Sequence, residues 1–161
     1  MSFGQQRLWF LAQLESGSAT YNAPIAWRIT GPLNVSALQR SLSQLVVRHE
    51  ALRTTFAVLD DYPRQIINEA LPVSIAIQDL RTIERRQRES EIKRRIREEA
   101  QRPFDLSVEP MVRAALFRVE DEEHVFVLTL HRIACDVPSS AILLEELASL
   151  YNGLLNGKPV H

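Results

Sequence analysis

The chain has 161 residues, of which 45% are hydrophobic and 24% are charged, and its formal net charge is -1. This composition predicts one soluble domain with a substantial core, and it removes the electrostatic reason to expect a nucleic acid or an anionic membrane surface as a partner. Cys135 is the single cysteine, so no internal disulfide can form. No apolar run is long enough to cross a bilayer and the N-terminus lacks a secretory signal, so we expect a cytoplasmic protein.

Hydrophobic periodicity predicts five elements in the first half of the chain. In chain order they are a helix over residues 5–14, a strand over 23–29, a helix over 35–49, and strands over 53–59 and 64–68. Gly31-Pro32 ends the first strand, and Asn34 is a favourable N-cap for the second helix. The Asp-Asp-Tyr-Pro segment at 60–63 is typical of a hairpin turn.

Five more elements are predicted in the second half. They are a strand over residues 73–77, a helix over 83–102, strands over 111–120 and 124–131, and a helix over 138–155 that Gly153 or Gly157 ends. The two long apolar runs at 111–120 and 124–131 flank an acidic turn, so we expect an antiparallel pair of central strands. The order of elements predicts an α/β fold, an α+β sandwich in which helices cover a mixed sheet.

The predicted helix at 83–102 is densely charged and has a narrow apolar stripe at Ile92, Ile96 and Ala100. Three acid-first pairs are spaced four residues apart, which favours ion pairs along the helix: Glu84/Arg88, Glu89/Lys93 and Glu91/Arg95. Acids interleave with the bases and aromatic residues are lacking, so a solvated surface helix is favoured over a nucleic-acid-binding one.

Few residues have the spacing of a known catalytic or metal site. The chain lacks a glycine-rich phosphate loop, and its four histidines are too scattered to predict a metal site. Cys135 is either a nucleophile near His131 or a small buried residue at a strand end, and the second interpretation is favoured. We expect His124, after the acidic turn, to be solvated, and His49, at a helix end, to have a structural role.

The segment LHRIACDV, residues 130–137, has the layout of an active-site motif on a strand that runs into a polar turn. Side chains alternate along a strand, so His131 and Arg132 face opposite sides, and Asp136 can turn back to fix the loop. A histidine at 132 would serve as a general base, whereas arginine has no lone pair to accept a proton. Base catalysis from this loop is therefore predicted to be lost.

Three segments together resemble the condensation domains of non-ribosomal peptide synthetases. Residues 2–11, SFGQQRLWFL, resemble the first core motif, with Gly4 where alanine is usual, and residues 48–56, RHEALRTTF, match the second. Residues 130–139, LHRIACDVPS, align with the third, the His-His-x-x-x-Asp-Gly motif. Residues 103–106 and 110–116 also resemble this family, and the likeness covers essentially the whole chain.

The resemblance implies a fold similar to chloramphenicol acetyltransferase, in which two lobes enclose a tunnel and the sheet is mixed but mainly antiparallel. Carrier proteins would present substrates on phosphopantetheine from opposite faces, and an acceptor amine would attack a donor thioester to form a peptide bond. Residues 1–161 are expected to be the N-terminal lobe of a larger synthetase, without the C-terminal lobe and its motifs. Neighbouring synthetase domains are further expected partners, and no cofactor or metal is expected to bind directly.

The family roles transfer to six positions of this sequence. His131 matches the first motif histidine, usually structural, and Arg132 replaces the second, which positions or deprotonates the amine. Asp136 matches the aspartate that usually makes a structural salt bridge, and Val137 replaces a glycine, which would crowd the tunnel. The remaining two, from the first and second motifs, are predicted to be structural: Arg7 and Arg53.

Three hypotheses follow. The first is a degenerate condensation domain, because Arg132 and Val137 alter two of the four defining positions. The second is a catalytically silent domain that recruits a tailoring enzyme, because recruitment domains resemble His-Arg-x-x-x-Asp-Asp and HRIACDV shares three of those residues. The third, a stand-alone acyltransferase, is disfavoured because the second lobe and the base are both missing. An isolated lobe is also expected to self-associate through its exposed face.

Overall fold

The computed structural model of the chain describes residues 1–15 and 17–157. In chain order its elements are α1 (Phe3–Leu14), β1 (Asn22–Thr30), α2 (Val35–Arg48), a 3₁₀ turn (Glu50–Arg53), β2 (Thr54–Leu59), β3 (Tyr62–Ile67), β4 (Ile75–Asp79), α3 (Arg85–Gln101), β5 (Val112–Glu120), β6 (Glu123–His131) and α4 (Val137–Leu155). Every predicted helix and strand is present, with ends that lie within two residues of the predicted ones.

The main sheet has four strands in the order β1-β6-β5-β4. β6 pairs antiparallel with both β1 and β5, and only β4 runs parallel to its neighbour β5. The predicted antiparallel pair is therefore confirmed, and it occupies the centre of the sheet, where continuous apolar runs are expected because both faces are covered. The expected fold class, a mixed and mainly antiparallel sheet covered by helices, is confirmed.

Helices cover both faces of this sheet and produce three layers. On one face, Leu42 of α2 and Leu147 of α4 pack with Leu116 and Leu128 of the central strands. On the other face, Ile92 of α3 packs in a separate cluster with strand residues of the opposite parity, among them Phe117, Val119, Val125 and Val127. The two-residue period of a strand divides these side chains between the two clusters.

A third cluster lies at the end of the sheet where β6 terminates. It contains Phe56 of β2, Met111 before β5 and Ile133 after β6, with Trp9 of α1 packed against them. The β2–β3 hairpin and α1 are thereby attached to the segment that follows β6. Residues from the first, second and third motifs consequently meet in one apolar cluster.

The hairpin turn is shorter than the sequence suggested. Asp60 and Asp61 alone make the turn, with positive φ angles of 50° and 62°, as a two-residue turn of the left-handed type requires. Tyr62 and Pro63, predicted to lie in the turn, belong to β3. Proline is acceptable there because β3 belongs to a two-stranded sheet, where one edge has no ladder to interrupt.

α3 is not the purely solvated helix that the sequence predicted, because two of its three expected ion pairs are replaced by contacts to the sheet. Arg88 binds Glu120 of β5 at 2.6 Å instead of Glu84, and Glu89 binds Arg28 of β1 at 2.7 Å instead of Lys93. The predicted pair Glu91–Arg95 forms at 2.6 Å. Helix spacing alone missed these pairs because the strand partners are 32 and 61 residues distant in sequence.

The expectation that His124 is solvated is wrong. His124 is only 6% exposed and its Nδ1 has no hydrogen-bond partner within the described residues. Burial, followed by the charges of Arg118 and Arg81, lowers its pKa. Asp121 and Glu122 are exposed, but β6 begins at the half-buried Glu123 and places the next side chain against the sheet.

None of the helices in the described ranges combines the length and the hydropathy that a bilayer-spanning segment needs.

We predict that Arg88→Ala lowers the free energy of unfolding by about 2–3 kcal/mol, because the buried guanidinium bonds to the Arg81, Ile83 and Val119 carbonyls as well as to Glu120. The matched control is Arg85→Ala on the same helix, whose side chain is 88% exposed and should cost less than about 0.5 kcal/mol. Urea unfolding followed by circular dichroism measures both. Equal small losses would show that α3 is held by its apolar stripe alone.

Candidate active-site loop

The candidate active-site loop, residues 132–136, which we call the motif loop, begins where the central strand β6 ends. The His131 backbone N–H donates to the Met111 carbonyl at 3.1 Å, and the Arg132 N–H donates to the Tyr21 carbonyl at 2.9 Å. The strand is thus held on both sides until the motif starts. The chain then turns through Ile133–Cys135 and enters α4.

His131 is a buried, neutral residue. Its side chain belongs to the row of β6 that faces α3, and the residue is only 4% exposed. Nδ1 accepts a hydrogen bond from the Ile133 backbone N–H at 3.2 Å, which requires an unprotonated Nδ1. Burial, and secondarily the charge of Arg113, lowers the pKa of His131 to about 4. These contacts support the structural role that the family resemblance implied.

Arg132 lies on the exposed side of the same loop. The prediction that residues 131 and 132 face opposite sides is confirmed, since one side chain is buried and the next is exposed. Within residues 1–15 and 17–157 the guanidinium of Arg132 forms no ion pair or hydrogen bond. It therefore presents an unpaired positive charge at the position that the sequence resemblance aligned with the family's second histidine.

Asp136 fixes the loop through the helix that follows and not through the strand. Its carboxylate is the N-cap of α4 and accepts from the Ser139 backbone N–H at 2.9 Å. Hydrogen bonding to the Ser139 side chain, and secondarily to its backbone N–H, lowers the pKa of Asp136. Among the described residues no cation lies within ion-pair distance of Asp136, so the salt bridge implied by the family is not formed there.

Val137 and Cys135 flank Asp136 in the sequence. Val137 is the first residue of α4, but its side chain lies outside the described residues, so the expected crowding stays a prediction. Cys135 is buried, and its thiol contacts the Asp136 carbonyl oxygen at 3.4 Å. Burial, with a smaller effect from Asp136, raises the pKa of this thiol to about 11. A thiol that stays protonated at neutral pH is a poor nucleophile, which supports the structural interpretation.

The two motif arginines have different surroundings. Arg53 donates to the Asn68 carbonyl and to the Glu50 carboxylate, the latter at 3.2 Å, and its side chain is 17% exposed. These contacts tie the 3₁₀ turn to the segment after β3 and support a structural role. Arg7 is exposed on α1, and its side chain has no hydrogen bond or ion pair among the described residues. Its structural role therefore stays a prediction.

His49 and Glu146 form a contact between α2 and α4, near the loop. His49 Nε2 lies 2.7 Å from Glu146 Oε2, a hydrogen bond that joins the end of α2 to α4. This contact supports the structural role predicted for the histidine. A cavity of about 200 Å³ lies beside it and reaches Cys135. A larger cavity, of about 640 Å³, lies between the starts of β4 and β5, with Arg53 and Arg113 in its wall.

Sequence reasoning did not identify the residues that surround His131. Phe104 and Tyr21 contact its ring edge to face, with ring centroids 5.7 and 6.3 Å away. Arg113 lies behind Phe104, its guanidinium carbon 3.8 Å from the ring centroid. The sequence did contain one indication of these contacts, because Arg113 lies within the apolar run 111–117. A charged residue in a buried strand requires polar partners.

In the described part of the chain, histidine, cysteine, aspartate and glutamate side chains do not gather into a group of three that could hold a metal ion.

Comparison with known proteins places this geometry in a family. A family profile described as "Condensation domain" matches residues 1–161. The linear gramicidin synthase of Brevibacillus parabrevis has a polypeptide that is 42% identical over 157 residues, which is 98% of this chain and 2% of that polypeptide. Malpibaldin synthetase of Mortierella alpina is 42% identical over 160 residues, which is 99% of this chain and 3% of that protein.

The fold also matches solved structures. The first condensation domain of the calcium-dependent antibiotic synthetase, in complex with substrate analogue 2a, aligns with a TM-score of 0.90 at 27% identity. The alignment covers 100% of this chain and 39% of that one, so this chain spans about two fifths of a solved condensation domain and a few per cent of the synthetases. Because the profile covers all 161 residues and the same fold occurs in solved members, the chain belongs to the condensation domain family of non-ribosomal peptide synthetases.

Proposed function

We propose that this chain is the N-terminal lobe of a condensation domain that has kept its scaffold and lost the group that handles the proton. In an active domain an acceptor amine attacks a carrier-bound thioester, a carbon–nitrogen bond forms, the carbon–sulfur bond breaks, and the amine proton must leave. The single observation that carries the proposal is the exposed arginine at position 132. The sequence resemblance aligns this residue with the family's second histidine.

An arginine at this position cannot take the amine proton. Its guanidinium stays charged and has no acceptor lone pair. A fixed positive charge beside the amine also disfavours any step in which that nitrogen becomes positively charged. What Arg132 can do is bind an anion or a carbonyl oxygen, which is recognition and not base catalysis.

The neighbouring histidine does not replace the missing base. His131 is buried on the α3 side of the sheet, its Nδ1 is occupied by the Ile133 N–H, and its pKa of about 4 makes it a weak base at neutral pH. The loop would have to leave the strand end to bring this ring to the exposed side. That movement would break the hydrogen bonds of His131 and Arg132 to Met111 and Tyr21.

The proposal includes partners and a setting. Carrier proteins with phosphopantetheine-bound substrates, the C-terminal lobe and neighbouring synthetase domains would complete the site, and no cofactor would bind this lobe directly. The relatives named above are synthetases, which supports this assembly. A cytoplasmic location fits the single buried thiol of Cys135, which needs no oxidising compartment.

Recruitment of a tailoring enzyme is the second candidate function. The observation that favours it is the guanidinium of Arg132, which is exposed and has no partner among the described residues, next to the retained His131 and Asp136. Such a charge is available for an acidic group on another protein. Val137 stands where the recruiting pattern has a second aspartate, which counts against this candidate.

We predict that the intact domain carrying this lobe forms peptide bonds at the background rate, and that Arg132→His raises the rate by about 100-fold or more, the scale of general-base catalysis. The assay is product formation between loaded donor and acceptor carrier proteins, read by mass spectrometry. Val137→Gly in the Arg132→His background tests whether crowding limits the recovered rate.

Arg132→Ala is the control for this experiment, because it removes the charge without supplying a base. Robust turnover by the original domain that persists in Arg132→Ala would overturn the proposal. A silent Arg132→His variant, together with an original domain that binds an oxygenase in a titration and loses binding in Arg132→Ala, would favour recruitment.

A second prediction concerns the stability of the chain between pH 4 and 7. The folded pKa of His131 is depressed to about 4 from an ordinary value near 6.5, so the unfolded chain binds one more proton in this range. The free energy of unfolding therefore has its full value, as far as His131 is concerned, above about pH 6.5. It falls by up to about 3 kcal/mol as the pH is lowered toward about 4.

The matched variant is His131→Gln, which cannot titrate, so its unfolding free energy should depend less steeply on pH than that of the original chain. Urea unfolding at several pH values measures the difference. His124 contributes in the same direction and remains in both proteins. Parallel pH profiles would show that His131 titrates normally in the folded state.

A third prediction concerns self-association of this chain. α1 exposes Phe3, Phe10 and Leu14, which are 92, 57 and 66% exposed and follow one stripe of the helix. The adjacent hairpin exposes further apolar residues, among them Val58, Leu59 and Tyr62. Such a surface favours contact with a second copy. Light scattering over a wide concentration range should show oligomers that the triple serine variant of the α1 stripe lacks; a monomer at every concentration would contradict this.

A further inference from the structure

The C-terminal end of α3 is held by side chains from the two strands that flank β6. Asn22 of β1 donates from Nδ2 to the carbonyls of Ala100 and Arg102, at 2.8 and 2.7 Å. Arg113 of β5 also donates to the carbonyl of Arg102. The last carbonyls of a helix have no partners within the helix, so these two residues supply them. We call Asn22 and Arg113 the α3 clamp.

The clamp holds the segment that follows α3 across the end of β6. Asn22 is the cross-strand partner of His131, and Arg113 is the partner of Thr129, two residues earlier on β6. The clamped segment therefore spans from one neighbour of β6 to the other. Phe104, the second residue after the clamped Arg102, contacts the His131 ring at this point, with a centroid distance of 5.7 Å and an interplanar angle of 75°.

Arg113 makes more contacts than capping the helix requires. Its Nη1 donates to the Pro103 carbonyl at 2.9 Å, and its Nη2 lies 3.5 Å from the Glu99 carbonyl oxygen in addition to its bond to Arg102. The guanidinium also lies over the face of Phe104 at 3.8 Å. Its side chain is only 11% exposed, so these contacts are made out of water, where cation–π attraction is stronger.

The groups that face His131 come from four parts of the chain: the residue before β1, the segment after α3, β5 and the turn after β6. They are the rings of Phe104 and Tyr21, the backbone of Ile133, and the charge of Arg113 behind Phe104. The described residues place no carboxylate in hydrogen-bond contact with this ring. The orientation of the ring therefore depends on one backbone hydrogen bond and two aromatic contacts, of which the contact with Phe104 is supported by Arg113.

We propose that Arg113 is a positioning residue for the motif loop: it holds Phe104 against His131 and so fixes the His131 ring and the turn that follows it. Asn22 assists by holding the same segment from the opposite side of β6. The inference goes beyond the proposed function, because it concerns how the loop is held and is independent of which residue stands at position 132.

A purely structural cap would behave differently from a positioning residue. Loss of a cap lowers the stability of α3 and leaves the surroundings of His131 unchanged in the folded protein. Loss of a positioning residue changes the His131 ring itself. The discriminating variants keep the charge, because removal of a cation raises the pKa of a nearby histidine through electrostatics alone. Arg113→Lys retains the charge but has neither the planar fork nor the stacking face, and Asn22→Ala leaves Arg113 intact.

The experiment is an NMR titration of the intact domain labelled with ¹³C at histidine, with the His131 signal assigned by its loss in His131→Gln. In the original protein we expect a titration midpoint well below the ordinary value. In Arg113→Lys the midpoint should rise by about one pH unit or more as Phe104 moves away and water reaches the ring. Asn22→Ala should change it in the same direction and by a smaller amount.

The matched control is Arg118→Lys, an arginine of the same strand whose position pairs with His124 near the opposite end of β6. It should leave the His131 signal unchanged while altering that of His124. Unchanged His131 shifts and midpoints in folded Arg113→Lys and Asn22→Ala would overturn the proposal. If Arg113→Lys does not fold, the result for Asn22→Ala decides. Peptide-bond formation is not measured, so the outcome is independent of the test at position 132.

Discussion

The pairing of β6 on both edges is the constraint on which the rest of this structure depends. All nine of its residues have cross-strand partners in β1, and the strand is buried on both faces from His124 to its end. The motif loop is the direct continuation of this strand, so the position of its first residue is set by the sheet. A loop attached to such a strand has little freedom where it begins, which is the condition for presenting one side chain at a defined place.

This arrangement separates the scaffold from the chemistry. His131 is the last buried residue of β6 and contributes to packing, and Asp136 begins α4 as its N-cap. Arg132 lies between them and is exposed, and its guanidinium has no ion pair or hydrogen bond among the described residues. On the proposed function, a substitution at that one position would remove proton transfer while the strand, the turn and the helix remain. This geometry is consistent with a motif that keeps His131 and Asp136 and has arginine at position 132.

Much of the fold could be predicted from the sequence, whereas the surroundings of the site could not. The central strands were recognisable because a long apolar run is itself the signature of a strand buried on both faces. Arg113 was overlooked because its hydrogen bonds go to the carbonyls of Glu99, Arg102 and Pro103, and a backbone carbonyl carries no sequence signal. Its carboxylate partner, Glu109, lies 3.8 Å away. His124 was misjudged for a related reason: an acidic neighbourhood in the chain says nothing about the face of the strand on which the next residue lies.

The sequence by itself determined the order of elements, the family and the chemical identity of position 132, because periodicity, motif spacing and side-chain chemistry are all local properties. Tertiary structure alone decided the partners of the charged residues that face the sheet. Arg88 and Glu89 bind strands and not their own helix, and Arg113 joins the end of α3 to Phe104 beside His131. Long charged side chains bind the acceptors that the fold brings near them. The partner of each side chain is therefore determined only when elements distant in sequence pack together.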